Sequence, residues 1–221
     1  MDKFELQSEK GKGTKVILEK YLPMTTDRIE YGLVSVPDQQ YNFNGDVYII
    51  KEFDGDKVLL AVIDGFGQGY DAYTMSMLIK RFVEKNYSLS LEILIRSCHQ
   101  LLKDSELSGG ATMSLLLLEP HQVTYLGVGD THTYLCNGTQ QRLENFEGRI
   151  GDYQLPSLQV KQIPIHGAVD IVMCTDGISS QLGEEELPIE NSAQDLAKFV
   201  FNHFHKPYGD VTVLVTKLKN S

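Results

Sequence analysis

The sequence predicts an α+β fold in which antiparallel strands are flanked by helices. Three observations carry this reading. Asp54-Gly55-Asp56 is a tight turn between two strand-like runs, Val47 to Phe53 and Val58 to Ile63, so these runs form a hairpin. After residue 110 a succession of short apolar runs is punctuated by Gly, Pro and Asn, the pattern of further antiparallel strands. Tyr70 to Asn86 and Leu89 to Leu102 place apolar residues at helical spacing. A nucleotide-binding α/β enzyme would need a parallel sheet, and the hairpin through Gly55 argues against one.

Composition narrows the classes. The chain has 221 residues, 42% hydrophobic and 23% charged, which suits one globular domain with a sizeable core. Its net charge of −10 argues against non-specific nucleic-acid binding and against an anionic membrane surface, and is compatible with cation binding. Cys98, Cys136 and Cys174 are far apart in apolar or helical surroundings, so neither a disulfide framework nor a zinc site is expected. No secretory h-region and no run of about 20 apolar residues is present, and a cytoplasmic setting is expected.

Taken in order, residues 1–14 read as a flexible tail and 15–221 as a single domain. Lys15 to Leu22 and Ile29 to Val36 alternate enough to be strands. Pro37 to Gly45 is a loop of turn formers that delivers Asp46 to the start of the hairpin. Asp46 and Asp64 are each nine residues from Gly55, so antiparallel pairing sets these carboxylates opposite one another. Val58 to Ile63 is an unbroken apolar run, as in a strand buried on both faces. It ends in Asp64, and Gly65, Gly67 and Gly69 follow at alternate positions. The spacing is neither GxGxxG, because Tyr70 stands at the third glycine position, nor a P-loop.

A second amphipathic helix, capped by Ser88 or Ser90, is followed by strands over Ala111 to Leu118, Gln122 to Gly127 and Thr131 to Cys136. Residues 146–157 read as an irregular loop and Leu158 to Pro164 as an edge strand. Val169 to Cys174 is a second buried strand, ending in Thr175-Asp176-Gly177. Pro188 to His205 is a third helix, capped by Asn191 or Ser192, and Val211 to Lys217 is the last strand.

One local arrangement therefore recurs. Buried strands end in Asp-Gly at Asp64-Gly65 and Asp176-Gly177, and strands begin after Gly-Asp at Gly45-Asp46 and Gly209-Asp210, with Gly129-Asp130 similar. Any single Asp-Gly is more often a β-turn. Carboxylates gathered at strand ends without histidine or cysteine suit Mg²⁺ or Mn²⁺ rather than zinc. Two such ions about 4 Å apart would activate a water and neutralise phosphate oxygens. His132 reads as a core or surface histidine, and His203 and His205 are two residues apart, not the i, i+4 spacing of one helix face.

The ordered set NGD (44–46), DGFGQG (64–69), GGATM (109–113), GVGDTHTYL (127–135), CTDGIS (174–179) and GDVTVLV (209–215) resembles the metal-dependent type 2C serine/threonine protein phosphatases. It resembles more particularly their bacterial stage II sporulation protein E branch, and a catalytic domain of this kind looks like the RsbX-type stressosome phosphatases. The resemblance implies a four-layer α/β/β/α sandwich with metals at one edge of the two sheets. It implies Asp46, Asp64 and Asp176 as catalytic metal-binding carboxylates, with Asp64 bridging two Mn²⁺ or Mg²⁺ ions. The Gly65 carbonyl and Asp210 complete the ligand set, and Asp130 is a candidate for a weak third ion. The substrate it implies is a phosphorylated regulatory protein, of the stressosome or anti-sigma-antagonist kind.

Three departures stand out. The family's last motif usually opens with a ligand Asp, and Gly209 stands there, which leaves Asp210 to reach the metal or the first site short of a carboxylate. Phe66 stands where eukaryotic members place a histidine. No arginine near the N-terminus matches their phosphate-binding one, and Arg28 is a poor candidate. A pseudophosphatase that binds a phosphorylated partner without turnover is the alternative that Gly209 favours.

Overall fold

The computed structural model describes residues 3–9, 13–19, 28–107 and 109–219, the first two stretches as backbone only. The hairpin expected through Gly55 is present as β4 (Asp46–Phe53) and β5 (Lys57–Gly65), with Asp46 paired to Asp64. Asp54 and Gly55 take positive φ at 51° and 81°, which lets the turn close in so few residues. β5 then pairs with β6 (Ala111–Glu119), β6 with β7 (Gln122–Val128), and β7 with the edge strand β10 (Lys161–Pro164), all antiparallel.

The second sheet has the order β3-β12-β11-β8-β9 and is also antiparallel. Its strands are β3 (Ile29–Val36), β8 (His132–Cys136), β9 (Gln140–Leu143), β11 (Val169–Cys174) and β12 (Val211–Leu218). Burial alternates between two apolar layers along these strands. On β5, Leu59, Ala61 and Ile63 pack beneath α1 (Gly69–Lys85) and α2 (Leu91–Lys103), while Val58, Leu60 and Val62 face the other sheet. On β12, Val211, Val213 and Val215 pack beneath α3 (Ala193–Phe204), and Leu214 and Leu218 face inward. The result is the expected sandwich: two helices, two sheets, one helix. Both faces of β5 are buried, which explains why Val58 to Ile63 is apolar without alternation.

The structure departs from the sequence reading at several points. Lys3–Glu9 (β1) pairs with Gly13–Glu19 (β2), where a flexible tail is expected over residues 1–14. The expected strand end at residues 20–22 lies outside the described residues. The third helix begins at Ala193, capped by the Ser192 side chain, because Pro188 to Asn191 forms a turn that closes through Asn191 N–H to Pro188 C=O. Strand β9 and a 3-10 turn at Ser180–Glu184 were not expected. The α2 cap is Ser90, one of the two candidates. All three cysteines are buried and free.

Candidate metal-binding phosphatase site

The site lies where four strand ends meet. Asp46 opens β4, Asp64 closes β5, Asp176 follows β11 by two residues, and Asp210 immediately precedes β12. With Gly65, Asp130 and Gly209 they line one cavity of about 1180 Å³. Every site residue expected from sequence therefore reaches the same space.

Asp46 is the most deeply set, 4% exposed. The Thr175 hydroxyl donates to its Oδ2 at 2.5 Å, and the Thr212 N–H donates to Thr175 Oγ1 at 2.9 Å. Thr175 thus ties the first sheet to the second directly at the site. Burial pushes the Asp46 carboxyl up to about 8; the Thr175 bond opposes this, and the Asp210 and Asp176 carboxylates add to it. Burial raises Asp64 well above the ordinary carboxylate range, and Asp46, Asp176, Asp130 and Asp210 raise it further. Asp176 is raised by burial and by Asp130, while Lys206 and a hydrogen bond with Asp64 work the other way.

Such a set gains by taking a cation, because one ion relieves both the desolvation and the mutual repulsion. The donors are all oxygen, which suits Mg²⁺ or Mn²⁺. Among the described residues, no group of three or more acidic, histidine or cysteine side chains is drawn together as a metal-holding cluster.

Gly65 is required by space. A Cβ there would lie 2.2 Å from the Ala72 carbonyl oxygen on α1, so glycine lets the helix sit directly against the end of β5. The loop bearing Asp130 is pinned from beneath. Asn145 donates from Nδ2 to the carbonyls of Gly129 (3.0 Å) and Thr131 (2.9 Å) and accepts from the Tyr125 hydroxyl.

The last motif is the informative departure. Both Asp210 oxygens accept backbone N–H bonds, Oδ1 from Asp38 at 2.7 Å and Oδ2 from Gly45 at 2.8 Å. Asp38 answers through Oδ2, which accepts from Gly209 N–H at 2.6 Å. Asp210 is therefore a brace on the loop that delivers Asp46, as well as a candidate ligand. Gly209 has φ +94°, and a Cβ there would meet nothing within 4 Å. Arg28 precedes β3 at the Ile29–Leu218 end of the sheet, whereas the site lies at the Val36–Val211 end, roughly 25 Å away along the strand.

The histidines take structural places. His132 is buried and its Nδ1 accepts from Arg142 at 3.0 Å; burial and then Arg142 lower its pKa to about 4, so the ring is neutral. His203 and His205 each bond a carbonyl one helical turn back and stack on Phe199 and Phe201. Three residues at the site were missed from sequence: Thr175, Asp38 and Arg149. Thr175 alone carried a signal, since it stands directly before Asp176-Gly177 at the end of a buried strand.

The family model for stage II sporulation protein E (SpoIIE) matches residues 54–219, three quarters of the chain. The chain belongs to the SpoIIE family. The match begins within the β4–β5 turn, so Asp46 is placed by its register with Asp64 and not by the family match. A curated relative, phosphoserine phosphatase RsbX of Bacillus subtilis (strain 168), is 37% identical over 93 residues, 41% of this chain and 45% of that protein. The aligned stretch thus spans less than half of that relative.

Two solved structures share the fold of this SpoIIE-family chain. A chain solved in connection with the bacterial stressosome, described as a modular system adapted to control secondary messenger signaling, superposes with TM-score 0.77 at 20% identity. It covers 86% of this chain and 99% of that one. RsbX in complex with magnesium superposes with TM-score 0.74 at 20% identity, covering 98% and 100%. The two antiparallel sheets and their helices are thus the sandwich expected of type 2C phosphatases.

Proposed function

We propose that this SpoIIE-family chain is a divalent-metal-dependent phosphatase that hydrolyses phosphoserine or phosphothreonine on a regulatory protein in the cytoplasm. The observation that carries the reading is Asp46 held opposite Asp64 at a buried strand end, with Asp176 brought to both from the second sheet. Asp46, Asp64, Asp176 and the Gly65 carbonyl would hold the ions, and Asp210 would hold the loop and reach them in part. Bound Mn²⁺ or Mg²⁺ would supply Lewis acidity to a water nucleophile and neutralise phosphate oxygens. The protein's own share is to fix the carboxylates: Thr175 orients Asp46, and Asp210 fixes the 37–45 loop.

The RsbX likeness and the stressosome-derived neighbour support a phosphorylated stressosome or anti-sigma-antagonist protein as substrate. Among the described residues no helix is long and apolar enough to cross a membrane. Hydrolysis of p-nitrophenyl phosphate that requires Mn²⁺ or Mg²⁺ and is lost on chelation is the expected result.

Gly209 favours a second reading, a pseudophosphatase that binds a phosphorylated partner. No side chain stands at the usual ligand position, and the left-handed backbone there would strain one. Absence of turnover at every metal concentration, with retained binding of a phosphoprotein, would establish that reading and end the first.

A further inference from the structure

The cavity is lined by seven acidic residues and, among its described lining residues, a single cation, Arg149. Two divalent ions would leave that lining short of positive charge, and a phosphomonoester brings close to two further negative charges. The one arginine is mounted with care. Its guanidinium carbon lies 3.9 Å from the centre of the Phe66 ring, within cation–π range. Phe66 directly follows Asp64-Gly65, and its N–H donates to the Gly110 carbonyl at 2.8 Å, so the ring stands on the same backbone that carries the central carboxylate. Arg149 Nε bonds Asp152 Oδ2 at 3.3 Å, which fixes the edge of the fork. Among the described residues neither terminal Nη has a protein partner. Phe66 is 53% exposed, a large apolar surface that the guanidinium partly covers.

We infer that Arg149 is the substrate-phosphate clamp of this site, held on Phe66 as a platform and anchored by Asp152, with both Nη groups kept for phosphate oxygens. This rests on the phosphatase reading above, and deepens it by assigning ground-state phosphate binding to a residue distant in sequence from the acidic motifs. Arginine suits the task because its planar fork grips two phosphate oxygens at once. Phe66 and Asp152 are positioning residues.

The test uses the full chain loaded with Mn²⁺, inorganic phosphate as calorimetric ligand and competitive inhibitor, and p-nitrophenyl phosphate as substrate. Arg149→Ala is expected to weaken phosphate binding and raise KM about tenfold or more, with Mn²⁺ affinity unchanged. Arg149→Lys should recover part of the loss and Phe66→Leu should give a smaller one. Arg96→Ala, an exposed arginine on α2 paired with Glu92, should match wild type. Should Arg149→Ala fail to fold, Arg149→Gln, which keeps the length of the side chain without its charge, takes its place. Phosphate affinity within twofold of wild type in Arg149→Ala, or in Arg149→Gln should the alanine variant not fold, would overturn the inference. So would a Mn²⁺-loaded wild type that does not bind phosphate. A wild type that binds phosphate through Arg149 without turnover would sustain the inference and remove the phosphatase reading instead.

Discussion

At the scale of single residues, the site is an electrostatic conflict that the fold keeps in place. The Asp46 carboxyl, raised to about 8 by burial, takes up its proton far more readily in the folded state than in the unfolded chain, where Asp titrates near 3.9. Between those values the folded protein holds the extra proton, so the metal-free protein loses stability as pH rises from about 4 to about 8. Thermal unfolding in a chelator should therefore show a falling midpoint over that range. Saturating Mn²⁺ should flatten the trend, because the ion takes the proton's place. Thr175 offers a second check at this scale. Thr175→Val removes the donor to Asp46 and leaves the Thr212 N–H without its acceptor in a buried place, a loss of about 1–3 kcal/mol by urea unfolding. Metal affinity should fall with it, since Asp46 loses its orienting bond.

At the scale of elements, the register of β4 against β5 was legible from sequence. Two aspartates equidistant from Gly55 had to meet across an antiparallel pair, and they do. The loop contacts were not legible. Asp38 bonds Gly209, 171 residues away, and no pattern local to either segment announces it. Arg149 was hidden in the same way, because an irregular loop gives no period from which to place a side chain. Strand β9, Gln140–Leu143, has only one apolar residue to mark it and is specified by pairing with β8. The third helix starts later than its sequence suggests, because Pro188 suits a helix start whereas the Ser192 cap decides the actual one.

The packing of α1 on the end of β5 yields a prediction of its own. Gly65→Ala would drive a methyl into the Ala72 carbonyl, 2.2 Å from the built Cβ, and push the helix away from Asp64. We expect a stability loss of about 1–3 kcal/mol, read by urea unfolding, together with weaker Mn²⁺ binding. Gly209→Asp is different in kind. Space is open around the position, so the cost is the positive φ alone, and the variant should fold with a loss of about 1–3 kcal/mol while binding Mn²⁺ more tightly by calorimetry.

At the scale of the whole molecule, the two sheets are stapled together by a shared apolar layer, and the carboxylates sit at the one end where strands from both sheets stop. The sandwich makes the site by convergence: neither sheet alone holds Asp46, Asp64 and Asp176 together. The sequence's recurrent strand-end Asp-Gly units pointed to this edge, and the apolar runs buried on both faces pointed to layers on either side. Net charge −10 adds a general bias toward cations, and a divalent ion bound at the site should raise the unfolding midpoint with increasing concentration.

The proposed function makes Asp64, where the two sheets meet, the pivot of metal-dependent phosphate ester hydrolysis. The most direct measurement is phosphate release from a phosphoserine peptide, titrated with Mn²⁺ from zero, for wild type and Asp64→Asn. Mn²⁺-dependent turnover is expected in wild type, with a fall of about a thousandfold in Asp64→Asn and an unchanged circular dichroism spectrum. Turnover that is independent of Mn²⁺, or that survives intact in Asp64→Asn, would contradict the proposed function.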